Sequence, residues 1–491
     1  GCKGLGTYVS LDRGVDTAAG TQAAPVKTIG KAIANAVTIG GTQTVFVAGG
    51  HYPEKVTLVE KVSLEGGNLC TTASCTWTRD IAANDTAILN QDFEGVLAGS
   101  TITRATRVDG FRIMGKGGVT TASPGSAAIT LDGASATVTN NKLVGGDVTG
   151  GPSPGATHSA AIAILAPTVD PQGALIDKNQ ITGGASSNIS SGVFFTSKVF
   201  PPTGTSVAVV TNNTIRGGTA VQTRGILANN TGAGTLLSTN TILAGTCNGG
   251  QSWAISMDNV VTVDSNLLNV DQPNVGTCAS TTAWSGGIQS LSSTSTIINN
   301  VVFGVRGTRT TAVILQEAEK PAGAVILNGN YLDGAGIGLA GNPTNSAAIV
   351  LRIGGGTNAI LGKIRNNILA GGFDENRFGV FEEQIQNKTN KPAALENNDF
   401  FFSTQAGRKD VFYRAWTANA IVDTTTAPAL LALPTANFTA DPLVDATFHI
   451  SKSPASPCIN AGTMTEASAK DRDGDSRGKG GANDVGADEA N

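Results

Sequence analysis

An asparagine-centred motif recurs along the middle of this 491-residue chain. Most copies consist of a short apolar run, one or two asparagines, further apolar residues and a glycine, as in VTNNKLVGG. Successive copies lie 26 to 38 residues apart, a spacing too irregular for a helical repeat array but suited to β-coils with variable loops. The last asparagine of each copy is Asn141, Asn179, Asn213, Asn240, Asn266, Asn300, Asn330, Asn367 and Asn398.

These asparagines have a structural explanation. Asparagine tolerates the left-handed backbone region at a fixed corner, and its amide can bond to the asparagine of the next coil. A stack of such amides satisfies the polar groups of the turn, so we assign the asparagines no catalytic role. VDGFRIMG, with Gly110 at the asparagine position, is interpreted as an earlier copy. The signature is lost over residues 400–450, where we expect irregular packing over the last coil.

A second series alternates with the first. Small residues followed by alternating apolar ones recur around Ile129, Ile162, Val193, Ile226, Ile255, Ile288, Val313, Ile349 and Val380. Each coil therefore carries at least two short strands whose alternate side chains point inward. The two series predict an all-β chain that folds as a single right-handed parallel β-helix of about a dozen coils.

The two ends are predicted to cap this solenoid. Residues 25–37 place Val26, Ile29, Ile33 and Val37 on one face of a short amphipathic helix that can lie over the first coil. We divide the chain into residues 1–69 (N-terminal strand, capping helix and first coil), 70–400 (coils) and 401–491 (last coil, cap and acidic tail).

Sequence at both ends resembles a known family. The run from YVSLDRGVDTAAGTQAAPVKTIGKAIANA through TVFVAGGHYPEKVTL to VSLEGG resembles the N-terminal segment of bacterial secreted pectin-lyase-like β-helix proteins. The tail SPASPCINAGT…DRDGDSRGKGGANDVGADE is similar to that of surface-anchored β-helix proteins. The resemblance implies the fold, a bacterial source and a secreted or cell-surface location. It is a weak guide to activity, because such proteins include lyases, hydrolases and adhesins.

Composition excludes several classes of partner. Charged residues make up only 14% of the chain, the net charge is −4, and no basic run interleaves with aromatic residues. We therefore expect no nucleic-acid partner. The chain has no run of 18 apolar residues that could form a transmembrane segment.

The six cysteines suggest an oxidising compartment. Cys70 and Cys75 close a short loop and are predicted to pair. Cys247 and Cys278 are 31 residues apart, about one coil, and form either a disulfide or two buried thiols. Cys2 and Cys458 could pair within one chain only if the tail folds back along the solenoid. The alternative is an intermolecular disulfide that links chains head to tail into a filament. A lipidated Cys2 is excluded if Gly1 is the mature start.

Charged residues suggest a weak candidate for catalysis. The outward positions that follow the second series, Asp132, Asn229, Asp258, Gln316, Arg352 and Glu383, form a polar but mixed column. The best cluster for a polysaccharide lyase or glycosidase combines acidic and basic residues of neighbouring coils. It comprises Asp374, Glu375, Arg377, Glu382 and Glu383 with Arg352 and Arg365, and Glu317 and Glu319 form a weaker patch. The alternative is that these residues are solvated loop charges.

One tail segment is a weak calcium candidate, and no other cofactor is expected. Asp471, Asp473 and Asp475 alternate with other residues as in half a calcium loop, and Asp484 or Asp488 could complete it; an ordinary acidic turn is the alternative. Trp253, Trp284 and Trp416 could be glycan-stacking platforms or simple packing residues. The leading hypothesis is a non-catalytic extracellular structural or surface protein that associates end to end. The alternatives are a polysaccharide lyase or hydrolase and a glycan-binding adhesin.

Overall fold

The structure, a computed structural model, describes residues 6–490 with internal gaps. The gaps are residues 119–124, 149–157, 198–203, 271–282, 292–293, 318–324, 336–344, 354–358, 361, 384–389, 405–406, 417–420 and 426–435. The chain divides into two compact units, Gly1–Ala220 with Gly225–Thr235 (unit 1) and Val221–Arg224 with Leu236–Asn491 (unit 2).

Each unit is built from three parallel sheets that the chain visits in turn, here called sheets 1, 2 and 3. From Val96 onward, strands of one sheet are separated in sequence by strands of the other two, so a full circuit of the chain adds one strand to each sheet. This is the predicted right-handed parallel β-helix, and its hand is the one that connections between parallel strands adopt. Sheet 2 has six strands in each unit, which agrees with a dozen coils.

In unit 1, sheet 1 contains Thr7–Val9, Gln43–Ala48, Val62–Cys70, Arg107–Asp109, Thr137–Thr139, Ala174–Asp177 and Ala208–Thr211, with Cys75–Arg79 antiparallel to Val62–Cys70. Sheet 2 contains Gly50–Tyr52, Thr86–Leu89, Arg112–Met114, Lys142–Val144, Gln180–Thr182 and Thr214–Arg216. Sheet 3 contains Val96–Ala98, Ser126–Asp132, His158–Ala166 and Ile189–Ser197. Thr219–Ala220 is a short further strand, and the strand Gln222–Ala228 is divided between the units.

In unit 2, sheet 1 contains Leu236–Ser238, Thr262–Asp264, Thr296–Ile298, Ile326–Asn328, Lys363–Arg365 and Ala394–Glu396. Sheet 2 contains Thr241–Leu243, Leu267–Leu268, Val301–Phe303, Tyr331–Asp333, Ile368–Ala370 and Asp399–Phe401. Sheet 3 contains Ser252–Met257, Ser285–Ser290, Arg309–Glu317, Asn345–Ile353, Asn376–Glu383 and Lys409–Trp416, with Ile421–Thr424 antiparallel at its edge. Thr246–Cys247, Ala359–Ile360 and Asn390–Lys391 are short additional strands.

The predicted asparagine ladder is present in both units. Asn141 donates its backbone N–H and its amide to Oδ1 of Asn179 at 2.9 and 3.1 Å, and Asn179 bonds in the same way to Asn213. In unit 2 the ladder runs through Asn240, Asn266, Asn300, Asn330, Asn367 and Asn398. It then continues to Asn437, which accepts the N–H of Asn398 at 3.1 Å. The expectation that residues 400–450 lose the signature is therefore wrong at this one position.

The second series also lies in register. Ile129, Ile162 and Val193 are paired neighbours in sheet 3 of unit 1. Ile255, Ile288, Val313, Ile349 and Val380 form the equivalent buried column in unit 2. Such aligned apolar columns remove the strands' inner faces from water and form the core.

The capping helix α1 spans Ile29–Ile39. It begins later than predicted because Thr28 is its N-cap and accepts the N–H of Lys31, whereas Val26 still bridges to Val9 as extended chain. Its buried residues include Ile29 and Ile33, but Val37 is 50% exposed and does not belong to the packed face. Of the described helices, none is long and apolar enough to cross a membrane.

The cysteines are only partly as predicted. Cys70 and Cys75 form a disulfide, and Cys247 is disulfide-bonded, although Cys278 and Cys2 lie outside the described residues. Cys458 is a free thiol with no exposed surface. Because a disulfide requires direct contact between the two sulfur atoms, the buried position of Cys458 argues against the proposed head-to-tail pairing with Cys2.

The C-terminal segment from Asn437 to Ala490, here called the strap, does fold back along unit 2. It covers the outer face of sheet 2 and buries a column that includes Val301, Tyr331 and Ile368 against Ile450 and Val485. The tail is therefore part of the packed structure of unit 2.

Candidate functional site

The predicted acidic cluster in unit 2 is divided by the strand that carries most of it. Glu382 and Glu383 are consecutive in Asn376–Glu383, so their side chains point to opposite faces. Glu382 is buried and accepts a hydrogen bond from the Tyr413 hydroxyl. Glu383 lies on the outer face. The two carboxylates therefore do not form the pair that glycoside hydrolysis requires.

Arg377 and Asp374 are buried, so neither is a solvated loop charge. The Arg377 guanidinium is held by Asp410, with Nε 2.7 Å from Oδ1, and it also donates to the Ser403 carbonyl. Glu375 is exposed. Arg365 pairs with Glu396 at 2.8 Å and with Glu466 of the strap. These contacts occupy Arg377 and Arg365 in ion pairs instead of leaving them as free bases.

Glu383 is the centre of a smaller group on the outer face of sheet 3 in unit 2. Its carboxylate lies 2.7 Å from Nη2 of Arg309 and 3.5 Å from Nε of Arg352, and it accepts the indole N–H of Trp284 at 3.2 Å. The Arg309 guanidinium also stacks over the Trp284 ring at 4.6 Å. Arg309 and Trp284 were absent from the predicted cluster because they precede Glu383 by 74 and 99 residues.

The tryptophans are packing residues rather than exposed platforms. Trp253 and Trp284 are 0% and 1% exposed and belong to one apolar cluster with Phe378 and Phe381. Trp253 lies opposite Gly286 in the register, so the two indoles are not at equivalent positions of adjacent coils. The side chain of Trp416 and those of Glu317 and Glu319 lie outside the described set.

The other members of the predicted outward column have no common centre. Asp132 belongs to unit 1, whereas Asp258, Gln316 and Arg352 belong to unit 2. Asn229 and Asp132 lie at or just beyond strand ends, as predicted. Within unit 2, Arg352 is the paired neighbour of both Gln316 and Glu383 in sheet 3, and its Nε lies 3.5 Å from the Glu383 carboxylate.

The predicted calcium segment is a hydrogen-bonded turn. Asp471 Oδ1 accepts the N–H groups of Asp473 and Asp475, and its Oδ2 accepts that of Glu489. Asp473 instead faces His449, and these two residues with Asp488 have ligand atoms within 4.8 Å of one another. Calcium prefers an all-oxygen shell, so a group containing an imidazole fits it poorly. Calcium at Asp471, Asp473 and Asp475 stays an untested prediction.

A groove of about 640 Å³ lies on the outer face of sheet 2 in unit 1. Its basic residues come from consecutive coils: Arg112 and Lys142 are paired neighbours in sheet 2, and Lys178 occupies the corner of the following coil. The amides of Asn140 and Gln180 also line it. We call this cavity the basic groove. Sequence reasoning missed it.

The charges in the basic groove are unbalanced. Asp85 is the one carboxylate among its described lining residues, and it is held by Arg112, with Nε 3.0 Å from Oδ1. The Arg112 hydrogen bond lowers the pKa of Asp85, and Asp85 raises the pKa of Arg112. Lys178 has only a long contact of 3.8 Å with Asp177 and is 64% exposed. Lys142 is exposed and makes no ion pair with any described residue. Two lysine charges therefore face this groove.

The equivalent face in unit 2 is chemically different. The first residue of the sheet 2 strand is Arg112, Lys142, Gln180 or Thr214 in four successive coils of unit 1. In unit 2 it is Leu267, Val301, Tyr331 or Ile368 in the four middle strands, between Thr241 in the first strand and Asp399 in the last. The apolar column is covered by the strap.

The corner asparagines match this difference. In unit 1, Asn140 and Asn212 donate to Asp109 and Asp177. In unit 2, Asn299, Asn366 and Asn397 donate to the strap carbonyls of Lys470, Thr463 and Ala461, and Asn299 also donates to Asp264. Corner amides of unit 1 thus donate to Asp109 and Asp177, whereas the equivalent amides of unit 2 donate to the strap.

The chain matches no protein family and no curated protein. Among solved structures it is similar to the pectate lyase Pel9A, with 13% identity, a TM-score of 0.42 and coverage of 99% of this chain and 98% of that one. It is also similar to XylC in complex with xylose, with 12% identity, a TM-score of 0.37 and coverage of 83% of this chain and 76% of that one. A third similar structure is that of the polysaccharide lyase Pedsa3628 of family PL6 from Pseudopedobacter saltans. Its identity is 11% and its TM-score 0.33, and the match covers 84% of this chain and 90% of that one. At these identities and scores the likeness bears on neither activity nor substrate.

Proposed function

We propose that this chain is a non-catalytic, secreted or cell-surface protein that binds an acidic polysaccharide in the basic groove of unit 1. The observation that carries the proposal is the placement of Arg112, Lys142 and Lys178 along a single groove of about 640 Å³ with one carboxylate among its lining residues. A groove that concentrates one sign of charge raises the local concentration of ligands of the opposite sign.

The repeat of the fold favours a linear polymer as the ligand. Neighbouring strands are about 4.8 Å apart, so the groove offers a donor at each such step along the coil axis. Arg112, Lys142 and Gln180 follow one another in register in sheet 2, and Asn140 and Lys178 do so at the corner. An extended chain with one carboxylate or sulfate per sugar can engage several of these donors at once. Several weak contacts along one chain then add to a useful affinity.

The same geometry favours binding over cleavage. A calcium-assisted lyase needs several carboxylates beside the uronate to hold the ion, but Asp85 is the one carboxylate among the described lining residues, and it is already bound to Arg112. In unit 2, Arg377 and Glu383 are likewise engaged in ion pairs. End-to-end association stays a prediction, and the buried Cys458 removes the support that a disulfide would have given it.

Binding of polygalacturonate tests the proposal. We expect saturable binding by calorimetry or on a polymer-coated surface, and little binding to the fully methyl-esterified polymer, which has the same backbone without charge. Lys142→Ala with Lys178→Ala should weaken binding at least 10-fold. Lys27→Ala with Lys31→Ala is the matched control, because both lysines are exposed at or beside helix α1 of the same unit.

Two results would overturn the proposal. Equal binding of the charged and esterified polymers would show that the groove's charges are irrelevant. Release of unsaturated oligosaccharides, followed by ultraviolet absorbance, would show that the chain is a lyase instead of a binding protein.

A further inference from the structure

The strap of unit 2 closes over a buried carboxylic acid. Asp399 is the first residue of the last sheet 2 strand and is 0% exposed. Its Oδ1 accepts the N–H of Ala440 at 2.9 Å, and its Oδ2 lies 3.6 Å from the thiol of Cys458. Both partners belong to the strap, so the carboxyl group is removed from water only while the strap is docked.

No cation faces this carboxyl group among the described residues. The titratable groups that interact with it are the hydroxyl of Tyr331, two strands away in sheet 2, and Asp441 and Cys458 from the strap. Asp484, also in the strap, acts on Cys458. Each of these groups is neutral when protonated and negative when ionised. A charged Asp399 would therefore be both desolvated and repelled in the docked state.

The other described contacts of the docked strap are apolar, hydrogen-bonded or ion-paired, and its Glu466 is held by Lys363 and Arg365 of sheet 1. Apolar contacts bury Val301, Tyr331 and Ile368. Corner asparagines bind strap carbonyls, and Arg477 pairs with Glu489 within the strap itself. Asp399 thus differs from Glu466 in being a carboxyl group of the coils that the docked strap buries with no cation beside it among the described residues.

We propose that the strap is a pH-sensitive latch that is closed in acid and loosens as Asp399 ionises, which uncovers the apolar outer face of sheet 2 in unit 2. This goes beyond the proposed glycan binding, which uses the basic groove of unit 1 and does not require the strap to move.

The direction follows from proton linkage. Burial raises the pKa of Asp399 to about 7, whereas an exposed aspartate has a pKa of about 3.9. Between these two values the docked state holds a proton that the open state has lost, so docking weakens as pH rises and levels off above the higher value. Between pH 5.5 and 8 the opening equilibrium should increase about 30-fold.

Alkylation of Cys458 measures the opening, because this thiol has no exposed surface when the strap is docked. The experiment uses the full chain with Cys2→Ser, and each rate is divided by that of an exposed model thiol at the same pH. This correction removes the intrinsic effect of thiolate formation. The corrected rate should rise about 30-fold from pH 5.5 to 8.

The matched variant is Asp399→Asn, which keeps the shape and cannot ionise. Its corrected rate should stay slow and nearly constant over the same range. A flat profile in the parent protein, or the full rise in the Asn variant, would overturn the proposal. If the variant does not fold, hydrogen exchange of the strap amides in the parent protein decides instead, since unchanged protection from pH 5.5 to 8 after correction for intrinsic exchange also contradicts a latch.

Discussion

At the residue scale, the two adjacent residues at each corner have different structural roles. The first takes positive φ, as at Asn140, Lys178 and Asn212 (54 to 56°), and faces outward. The second points inward and carries the ladder. Lys178 occupies the outer position of one corner, so this position requires the left-handed backbone conformation but not an amide side chain. The inner position needs the amide, since both its donor and its acceptor are used.

Substitution of neighbouring asparagines should therefore have unequal effects. Asn213 is buried, donates to the carbonyls of Ile176 and Thr211, and accepts from Asn179. Asn213→Ala leaves these buried groups without partners and should lower the free energy of unfolding by about 3 kcal/mol. Asn212→Gly, next to it but exposed, should change it by less than about 1 kcal/mol, because glycine accepts positive φ. Urea denaturation checks both, and equal losses would contradict the division of roles.

The residues of the ladder could be predicted, but those of the acidic cluster could not. The ladder repeats in sequence, so its partners are one coil apart and their spacing is visible. Glu383 instead pairs with Arg309 two strands away in sheet 3, and Arg365 pairs with Glu466 of the strap. Charges that are neighbours in sequence, such as Glu382 and Glu383, were grouped although alternation along a strand separates them.

At the scale of elements, one column decides which faces are covered. The residue after the ladder asparagine is polar at Lys142, Gln180 and Thr214 and apolar at Val301, Tyr331 and Ile368. A solvent-facing column that turns apolar indicates a covering element, and the strap is that element. This signal is present in the sequence, and with it both the docking of the tail and the basic groove could have been predicted. The path of the strap itself has no repeat and could not.

A charge placed in the apolar column should release the strap. Ile368 is 1% exposed beneath it, so Ile368→Lys would bury an unpaired ammonium group and should favour the undocked state. We expect limited proteolysis to cut within residues 437–490 at least 10-fold faster, while the coils stay resistant. Thr214→Lys, at the same position of a coil in unit 1 but exposed, is the control. Cleavage rates that do not differ between the two variants would mean that this column does not hold the strap.

At the scale of the whole molecule, the net charge of −4 gives no indication of an anionic ligand. Interactions between exposed charges fade over about 8 Å at physiological ionic strength. A polymer in the basic groove therefore senses mainly the charges that line it, those of Lys142, Lys178 and Arg112. Local placement can thus oppose overall charge, and composition alone cannot reveal it. The coil repeat is what gathers basic residues that are 30 to 66 positions apart in sequence into one wall.

The slope of binding affinity against salt concentration should therefore report how many charged residues of the groove pair with the polymer. A ligand that displaces counterions loses affinity linearly with the logarithm of salt concentration, with a slope of roughly one for each ion pair formed. We expect Lys142→Ala and Lys178→Ala each to reduce that slope for polygalacturonate by about one and the double variant by about two, since each lysine contributes one contact. Titrations at four or five salt concentrations measure this, with Lys31→Ala as the reference for a lysine outside the groove. If the double variant keeps the parental slope, the polymer binds elsewhere on the protein.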